Sequence, residues 1–556
     1  MPVLRFKPGR VEEVIGVQLD QALKLMERLK IEVEIDEEGY VVAELEVDRP
    51  DMYSLEGIGR QVKGLLGVER GLPRYNIVET DYRIVADDVP TRPYVLGAIV
   101  WDVDVDEDFL EELIQFQEKL HVSHGDKRRR VAIGLHDLDK LPGKTIHYKF
   151  EHVDMVRFTP LHGDREMSLR EVFNETPQGR EYSGIALQGD RHPVLYANGE
   201  VISVPPVINA ELTKVEPGTR HLFIDVTGPE LGIVEDILAI LATNLAERSR
   251  TKRIGLVRVE APWGNRVVPG LEPHRWRLRL ATVERVIGLK LSANEVAQKL
   301  EAMRFGVVEV GGDYVDVLVP RFRIDIMHEV DLAEEVALAI GFDALKPEKP
   351  KLMLRGGLLP VRAWEREARK LLAGHGYVEV KTYTLVSCRE QEAVGGIPAE
   401  KLVKIANPVS VEADCVRATM LPNLLRIAAS NQHRIPLRIF ELGEVVEVTG
   451  EGDRGVRYGR KLAILYMADK AGYEDIQAVV YSIVRLTNDE ISVIKEYTHP
   501  LLIQGRTALA KTKRGLRIII GEVRPEILER YGIAYPIAVA EIDYTALAGG
   551  AAVPRP

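Results

Sequence analysis

The chain has 556 residues, 46% of them hydrophobic and 29% charged, with a formal net charge of −11 at pH 7. This length exceeds what one hydrophobic core supports, so several domains are expected. The negative charge excludes a bulk attraction to nucleic acid, and the lack of a run of about twenty apolar residues excludes a membrane-spanning helix.

Cysteine usage and the first residues favour a cytoplasmic location. The two cysteines, Cys388 and Cys415, fit neither a paired metal-ligand spacing nor a disulfide framework. They are therefore expected to be reduced, as in the cytoplasm. The opening residues MPVLRFKPGR lack the apolar region of a signal peptide, so we expect none.

Residues 1–85 are predicted to form a small α/β domain. Apolar residues recur at helical spacing over 11–30, and 37–47 alternate like a strand. In DRPDMYSLEGIGRQVKGLLG, Asp51 after Pro50 is predicted to cap a helix that ends near Gly67. The glycines of this segment lie within the helix and do not form a dinucleotide-binding loop.

Residues 86–270 are predicted to be strand-rich, with one helix over 232–249. The densest basic run, Lys127, Arg128, Arg129 and Arg130, is typical either of a solvated loop or of a contact with RNA phosphates. His136 is a candidate acid–base group because histidine titrates near neutrality, although a structural turn residue is the preferred interpretation.

Residues 271–347 are predicted to form a winged-helix-like module of two short helices and a strand pair. Ser292 and Glu295 have the spacing of a capping box at the start of the second helix. The prolines of LKPEKPKLMLRGGLLP predict a linker, and residues 358–556 then form a last α+β domain. The sequence lacks phosphate-loop, zinc-hydrolase and serine-hydrolase motifs.

The segment PRFRIDIMHEVDLAEEVALAIGFD concentrates carboxylates. Asp331, Glu334 and Glu335 share one face of a predicted helix, and Asp325 precedes them. A hard cation such as Mg²⁺ prefers this donor type. The alternative stays open, because Asp331 with Glu334 can be a capping box and Asp325 a surface acid beside Arg323.

This segment resembles the end of the magnesium-binding domain of phenylalanyl-tRNA synthetase β subunits. RPDMYSLEGIGR resembles the N-terminal block of that family, with Asp48 in place of the usual Asn, and ATMLPNLLRIAASNQHR, RIFELGEVV and GEVRPEILERYGI resemble its last domain. The length matches the short archaeal and eukaryotic type. The resemblance implies Mg²⁺ at Asp325, Asp331, Glu334 and Glu335, shared with an α subunit in an α₂β₂ assembly that binds tRNA(Phe).

The resemblance also implies that residues 86–270 hydrolyse mischarged Tyr-tRNA(Phe). An apolar pocket rejects an added hydroxyl by only about 10²-fold, so a second hydrolytic site is needed. The matching stretches YANGEVISVPPVIN and HLFIDVTG offer Leu195 as an apolar wall and Ser203, Asn209, Asp225 and Thr227 as polar groups. Asp225 and Thr227 are otherwise residues of a strand-end turn, and no general base is assigned.

The last domain resembles a class II synthetase catalytic fold that has lost its chemistry. The class requires R-x-E on one strand, whereas Arg438 and Glu441 have the spacing R-x-x-E and face opposite sides. Its glycine-rich third motif is missing, and the late pair Gly549–Gly550 leads into AAVPRP. Phe440, Leu442 and Val445 are expected to be core residues, and ATP is expected to be used by the complex without binding this chain.

Taken together, we expect a multidomain α+β protein. Its parts are an N-terminal α/β block, an editing-type domain, a winged-helix-like metal domain and an antiparallel sheet with helices. The alternatives are a stand-alone editing or scaffold protein and a general RNA-binding regulator, which co-purification with an α chain would distinguish.

Overall fold

A computed structural model describes residues 2–350, 356–450 and 454–548. The chain divides into two compact units, Met1–Glu348 and Lys349–Pro556. Each unit is a mixture of helices and sheets, as the sequence predicts. The finer division into four domains stays a prediction. Among the described residues, no helix is long and apolar enough to cross a membrane.

The first unit alternates helices with many short strands. Its helices are α1 (Pro8–Ile15), α2 (Leu19–Arg28), α3 (Leu55–Leu66), α4 (Glu107–Val122), α5 (Leu169–Glu175), α6 (Pro177–Tyr182), α7 (Leu231–Arg248), α8 (Leu280–Ile287), α9 (Ala293–Ala302) and α10 (Glu329–Ile340). Its strands are β1 (Val3–Phe6), β2 (Glu32–Ile35), β3 (Val41–Glu44), β4 (Asn76–Ala86), β5 (Tyr94–Val100), β6 (Ala132–Asp137), β7 (Thr145–His152), β8 (Arg157–Phe158), β9 (Met167–Ser168), β10 (Arg191–Ala197), β11 (Glu200–Val204), β12 (Ile208–Asn209), β13 (Leu222–Gly228), β14 (Arg253–Glu260), β15 (Arg266–Val268), β16 (His274–Arg279), β17 (Gly306–Val310) and β18 (Tyr314–Val319).

A large mixed sheet forms the centre of this unit, with strand order β12-β11-β10-β7-β4-β14-β5-β13-β6 and β15 paired to β14. Helix α7 packs on β5 and β13. All of its residues from Ile237 to Ala246 are buried, because the helix is apolar around nearly its whole circumference. Small antiparallel sheets, β1-β3-β2 and β16-β18-β17, belong to the segments before and after the large sheet.

Helix ends follow local chemistry, with one correction to the sequence prediction. The capping box of Ser292 and Glu295 is present, and α3 ends at Gly67 with a positive φ of 76° that favours glycine. Asp51 does not cap α3, because Ser54 accepts the N–H of Gly57 instead. The Asp51 carboxylate is buried and accepts a bidentate pair of hydrogen bonds from Arg49, at 2.8 and 2.9 Å.

The second unit is built on a mainly antiparallel sheet, in which the strand Val378–Glu379 alone pairs in parallel, with helices on both faces. Its helices are α11 (Pro360–Gly374), α12 (Cys388–Ala393), α13 (Leu421–Ser430), α14 (Tyr473–Leu486), α15 (Pro525–Arg530) and α16 (Thr545–Ala548). Its strands are β19 (Val378–Glu379), β20 (Leu385–Val386), β21 (Val403–Lys404), β22 (Cys415–Val416), β23 (Leu437–Val448), β24 (Val456–Met467), β25 (Ile491–Glu496), β26 (Leu502–Thr512), β27 (Arg517–Val523) and β28 (Ile537–Asp543). The main sheet has the order β19-β23-β24-β28-β27-β26-β25, and the strand expected over 378–386 is instead broken into β19 and β20.

Strand β23 carries side chains into cores on both faces of this sheet. Phe440 and Leu442 pack with α11 and α14, whereas Val445 packs on the opposite face with α13. Arg438 lies over the ring of Tyr466, and Glu441 points to the other face, as its spacing predicts. The late glycine pair Gly549–Gly550 lies outside the described residues.

The two cysteines correct another expectation. Cys388 at the start of α12 and Cys415 in β22 form a disulfide across a Cα–Cα distance of 5.0 Å. This Cα–Cα distance is within the usual range for a disulfide. Their separation of 27 residues gave no sign of it, since the contact depends on how β20, β21 and β22 pair.

Candidate functional site

A cavity of about 720 Å³ opens beside the β6 and β13 edge of the large sheet. This volume is typical of sites for small organic ligands. Apolar side chains such as Leu113, Ile133 and Leu161 form part of its wall, and the polar groups of Ser203, Asn209 and Asp225 also line it. The cavity therefore combines a mainly apolar surface with a few placed polar groups.

Asp225 and His136 form a buried pair at this cavity. The exposed fraction is 1% for Asp225 and 0% for His136. Asp225 Oδ2 lies 2.8 Å from His136 Nε2, and His136 Nδ1 lies 2.7 Å from the hydroxyl of Thr213. An ionised carboxylate only accepts, so Nε2 carries the hydrogen in this pair. His136 is therefore a strand residue with a specific partner, and its assignment to a turn is wrong.

The other oxygen of Asp225 is unpaired. Asp225 Oδ1 is buried and has no hydrogen-bond partner among the residues that the structure describes. A buried carboxylate oxygen without a donor is unfavourable, so such atoms are rare in folded proteins. In a residue that lines a cavity, this acceptor indicates a place for a ligand donor.

Strand register explains how the pair forms. Asp225 in β13 lies directly opposite Gly134 in β6, and His136 is two residues further along the same face of β6. A Cβ added at Gly134 would overlap Asp225 Oδ2 and would stand 3.0 Å from His136 Nε2. Glycine at this position therefore leaves the space through which Asp225 reaches His136.

The remaining predicted pocket residues have unequal positions. The Ser203 hydroxyl donates to Asn209 Oδ1 at 2.9 Å, and Asn209 Nδ2 donates to the carbonyl oxygen of Leu135 at 3.2 Å. Leu195 is fully buried in the core next to Ser203 and does not line the cavity. The structure thus gives Leu195 a supporting position instead of a wall position.

Thr227 also lies behind the cavity, where it accepts hydrogen bonds from Arg92. Arg92 is a buried arginine that the sequence analysis did not single out. Arg92 Nε donates to the Thr227 hydroxyl at 2.8 Å, and Arg92 Nη2 donates to the Thr227 carbonyl at 2.7 Å. Burial lowers the pKa of Arg92 to about 10, although Asp225 acts to raise it. Arg92 thus places a positive charge near Asp225 without a direct ion pair.

The basic run at 127–130 divides into internal and exposed side chains. Arg128 lies over the ring of Tyr182, donates to the carbonyl oxygens of Pro206 and Val207, and donates to Glu118 at 2.7 Å. These contacts join α4, α6 and the loop after β11, so Arg128 is a wall residue of the cavity. The side chain of Arg129 is 68% exposed, and that of Arg130 pairs with Glu230.

Glu118 connects Arg128 to a second histidine of the cavity wall. Although burial opposes ionisation, hydrogen bonds from His121 and Arg128 lower the pKa of Glu118 to about 2. Burial also lowers the pKa of His121. His121 Nε2 accepts a hydrogen bond from the backbone N–H of Ile133 at 2.9 Å. The His121 side chain therefore anchors β6 to α4.

The acidic cluster predicted from the sequence lines a separate cavity of about 320 Å³. Arg323 binds Asp325 through two hydrogen bonds at 2.7 and 2.9 Å, and it binds Glu335 at 2.6 Å. Lys30 pairs with Glu334 at 2.9 Å. Asp331 accepts the backbone N–H groups of Met327 and His328, which makes it part of a capping box with His328 and not with Glu334.

Because of these ion pairs, the carboxylates are not a set of free ligands in this chain, and Mg²⁺ binding at the four of them stays a prediction. Among the described residues, no three of these carboxylates bring ligand oxygens within 4.8 Å of one another. The oxygen donors around this cavity suit a hard cation in type. Arg323 forms ion pairs with Asp325 and Glu335, and Lys30 forms one with Glu334. A metal cation would have to displace these side chains.

Comparisons with known proteins follow the same division of the chain. Residues 276–342 match the tRNA synthetase B5 domain family, and residues 345–544 match the family of the phenylalanyl tRNA synthetase beta chain CLM domain. Both families are domains of tRNA synthetases, and the second is specific to one subunit type. The matches place the chain in the class of aminoacyl-tRNA synthetase subunits.

Whole-chain similarity identifies the family. The chain is 42% identical to the phenylalanine–tRNA ligase beta subunit of Aeropyrum pernix, over 99% of both chains, and 38% identical to that of Sulfurisphaera tokodaii, over 98% of both. A crystal structure of an N-terminal fragment of the phenylalanyl-tRNA synthetase beta-subunit from Pyrococcus horikoshii aligns with a TM-score of 0.57 at 34% identity, covering 61% of this chain and 99% of that one. The chain belongs to the family of phenylalanine–tRNA ligase β subunits.

Proposed function

We propose that this chain pairs with an α subunit to attach phenylalanine to tRNA(Phe), and that its Asp225 cavity hydrolyses mischarged Tyr-tRNA(Phe). The assembly proposed is α₂β₂, with amino-acid activation by ATP in the α subunit. The family membership supports the first part. The observation that carries the second part is the unpaired, buried Asp225 Oδ1 in the cavity wall.

Tyrosine differs from phenylalanine by one hydroxyl, which is a hydrogen-bond donor. The Asp225 oxygen is an acceptor in a largely apolar cavity, so a tyrosyl ring satisfies it and a phenylalanyl ring leaves it unpaired. A site of this type rejects the analogue that lacks the hydroxyl by as much as about 10⁴- to 10⁵-fold. The cavity is therefore suited to select the wrong product and to spare the correct one.

The reaction is hydrolysis of the ester between the tyrosyl carboxyl group and a ribose hydroxyl. A water oxygen bonds to the carbonyl carbon, the bond to the ribose oxygen breaks, and the water protons end on that oxygen and on the released carboxyl group. Such a step requires an oriented water and stabilisation of the developing oxyanion. We assign these roles to the cavity as a whole and name no general base.

The test is deacylation of Tyr-tRNA(Phe) by the complex with the α subunit. We expect Asp225→Ala to lower the rate by about 10- to 100-fold, the cost of losing a hydrogen bond to a charged group. Asp137→Ala is the matched control, because it removes a buried carboxylate of β6 that bonds Thr219 and does not line the cavity. Equal rates for wild type and Asp225→Ala would remove Asp225 from the site.

The second unit supports the proposal that ATP is not bound by this chain. Glu441 is fully buried and accepts hydrogen bonds from Arg417 at 2.8 Å and from Thr382 at 2.6 Å. Arg438 lies on the opposite face of β23, over Tyr466. Arg438 and Glu441 of β23 therefore cannot both bind the same nucleotide. Pyrophosphate exchange by the purified chain alone would refute this part.

We also propose that Asp325, Asp331, Glu334 and Glu335 hold Mg²⁺ when the α subunit is bound. Such a cation would hold oxygen groups of the two subunits together. The donor type fits, but the ion pairs with Arg323 and Lys30 predict weak binding by the chain alone.

The competition between Lys30 and a cation gives the metal proposal a direct test. We expect Mg²⁺ to raise the Tm of the complex more than that of the isolated chain. Glu334→Gln should weaken this effect, whereas Lys30→Met should strengthen it by removing the competitor for Glu334. A Tm rise that neither substitution changes would place the metal elsewhere.

Contact with tRNA is proposed for the exposed part of the basic run. Arg129→Ala should weaken tRNA binding and reduce the dependence of affinity on salt concentration, because it removes one phosphate contact. Arg128→Ala should instead lower the rate of deacylation, since Arg128 binds the cavity wall. Unchanged salt dependence in Arg129→Ala would contradict the phosphate contact.

A further inference from the structure

His136 and Thr213 form a chain of buried polar groups behind the Asp225 carboxylate. Both side chains are almost fully buried, with exposed fractions of 0% and 1%. Neither lines the cavity, so neither contacts a ligand there. A buried histidine needs a reason for its place in the core, and here its two ring nitrogens both have polar partners.

The direction of the hydrogen bonds follows from the groups involved. One nitrogen of a neutral imidazole donates and the other accepts, so with Nε2 donating to the carboxylate, Nδ1 accepts from the Thr213 hydroxyl. Thr213 thus selects one tautomer of His136, and His136 holds Oδ2 of Asp225. The carboxylate cannot rotate without breaking this bond, so the position of Oδ1 is fixed in a residue that lines the cavity.

We propose that His136, oriented by Thr213, is a positioning residue that sets the preference of the cavity for a hydroxyl-bearing aromatic ring. This inference rests on the proposed editing function and adds a specificity role for two residues outside the cavity wall. With His136 in place, the carboxylate has one oxygen satisfied and one left for the ligand. Without it, both oxygens are unpaired, and the carboxylate turns to other donors or admits water.

The consequence is a change in selectivity and not a uniform loss. A tyrosyl ester depends on the position of Oδ1, whereas a phenylalanyl ester makes no hydrogen bond to it. Removing His136 should therefore lower kcat/KM for Tyr-tRNA(Phe) by about 10- to 100-fold, in the range of one hydrogen bond to a charged group. The rate for Phe-tRNA(Phe) should change by less than about threefold, because the apolar walls remain.

The experiment compares deacylation of Tyr-tRNA(Phe) and Phe-tRNA(Phe) by the complex with the α subunit. His136→Leu removes the donor, and His136→Gln keeps an amide N–H that can reach Asp225. We expect the Tyr/Phe ratio to fall about 10- to 100-fold in His136→Leu and to recover largely in His136→Gln. Thr213→Val should shift the ratio in the same direction by a smaller factor.

Thr219→Val is the matched control, because Thr219 is an equally buried threonine whose hydroxyl donates to Asp137 and not to His136. It should leave the ratio unchanged. If His136→Leu does not fold, the Tyr/Phe ratio of Thr213→Val is compared with that of Thr219→Val to test the positioning role.

The outcomes separate the two proposals. A wild-type complex that hydrolyses neither ester overturns the editing function and this inference with it. An active wild type whose Tyr/Phe ratio is unchanged in the folded His136 and Thr213 variants overturns only the positioning role. An equal loss for both esters does the same, since it assigns His136 to general support of the fold.

Discussion

Gly134→Ala tests whether the position of Asp225 controls hydrolysis. The added methyl group would stand 1.9 Å from Asp225 Oδ2, whereas ordinary contacts begin at 3.4 Å, so the carboxylate and the two strands must retreat by about 1.5 Å in total. The methyl group would also crowd His136 Nε2 at 3.0 Å. The retreat moves Asp225 within the wall of the cavity and strains its hydrogen bond to His136.

The size of the effect follows from this displacement. A misplacement of about 1 Å in a reacting geometry costs about 10²-fold, so we expect kcat/KM for Tyr-tRNA(Phe) to fall by about 10- to 100-fold. This loss equals about 1.4 to 2.7 kcal/mol of transition-state stabilisation. Overpacking should also lower the free energy of unfolding by about 1–3 kcal/mol.

The assay is deacylation of Tyr-tRNA(Phe) by the complex, with the free energy of unfolding of the full chain measured beside it. Gly232→Ala is the control, because an added methyl group there meets no atom within 4 Å and lies in the first turn of α7. It should leave both measurements close to wild type. A folded Gly134→Ala complex with a wild-type rate would refute the reasoning.

Two further predictions concern buried charges. Glu441→Leu leaves the buried Arg417 without its carboxylate partner, so the free energy of unfolding in urea should fall by about 3–5 kcal/mol. A second substitution, Arg417→Met, should largely restore it. A fall below about 1 kcal/mol would contradict the pairing. Burial and the neighbouring Glu56 raise the pKa of Glu112 to about 7, although Arg10 opposes this. Folding favours the protonated form of Glu112. Its contribution to the free energy of unfolding is therefore complete below about pH 4.5 and is lost as the pH rises through about 7. Relative to Glu112→Gln, wild type should therefore lose about 3 kcal/mol between pH 4.5 and 7, and parallel stability curves for the two proteins would disprove the shift.

The sequence by itself determined the family, the local helix signals and part of the cavity. Motifs such as RPDMYSLEGIGR lie on continuous segments, and the capping box of Ser292 and Glu295 needs only four consecutive residues. The R-x-x-E spacing correctly separated Arg438 from Glu441, because alternation along a strand is local. Asp225 was identified from the resemblance of HLFIDVTG to the family, as one of the polar residues in that continuous stretch.

Only the tertiary structure decided how distant residues pair. His136 and Asp225 are 89 residues apart, and their contact depends on the order of β6 and β13 and on their register around Gly134. The Gly-x-His alternation in β6 was a readable signal, but it does not name a partner strand. Arg323 likewise neutralises carboxylates that the sequence assigned to a metal. Spacing along the chain reports which side chains share a face, whereas ion pairing and burial depend on what the fold packs against that face.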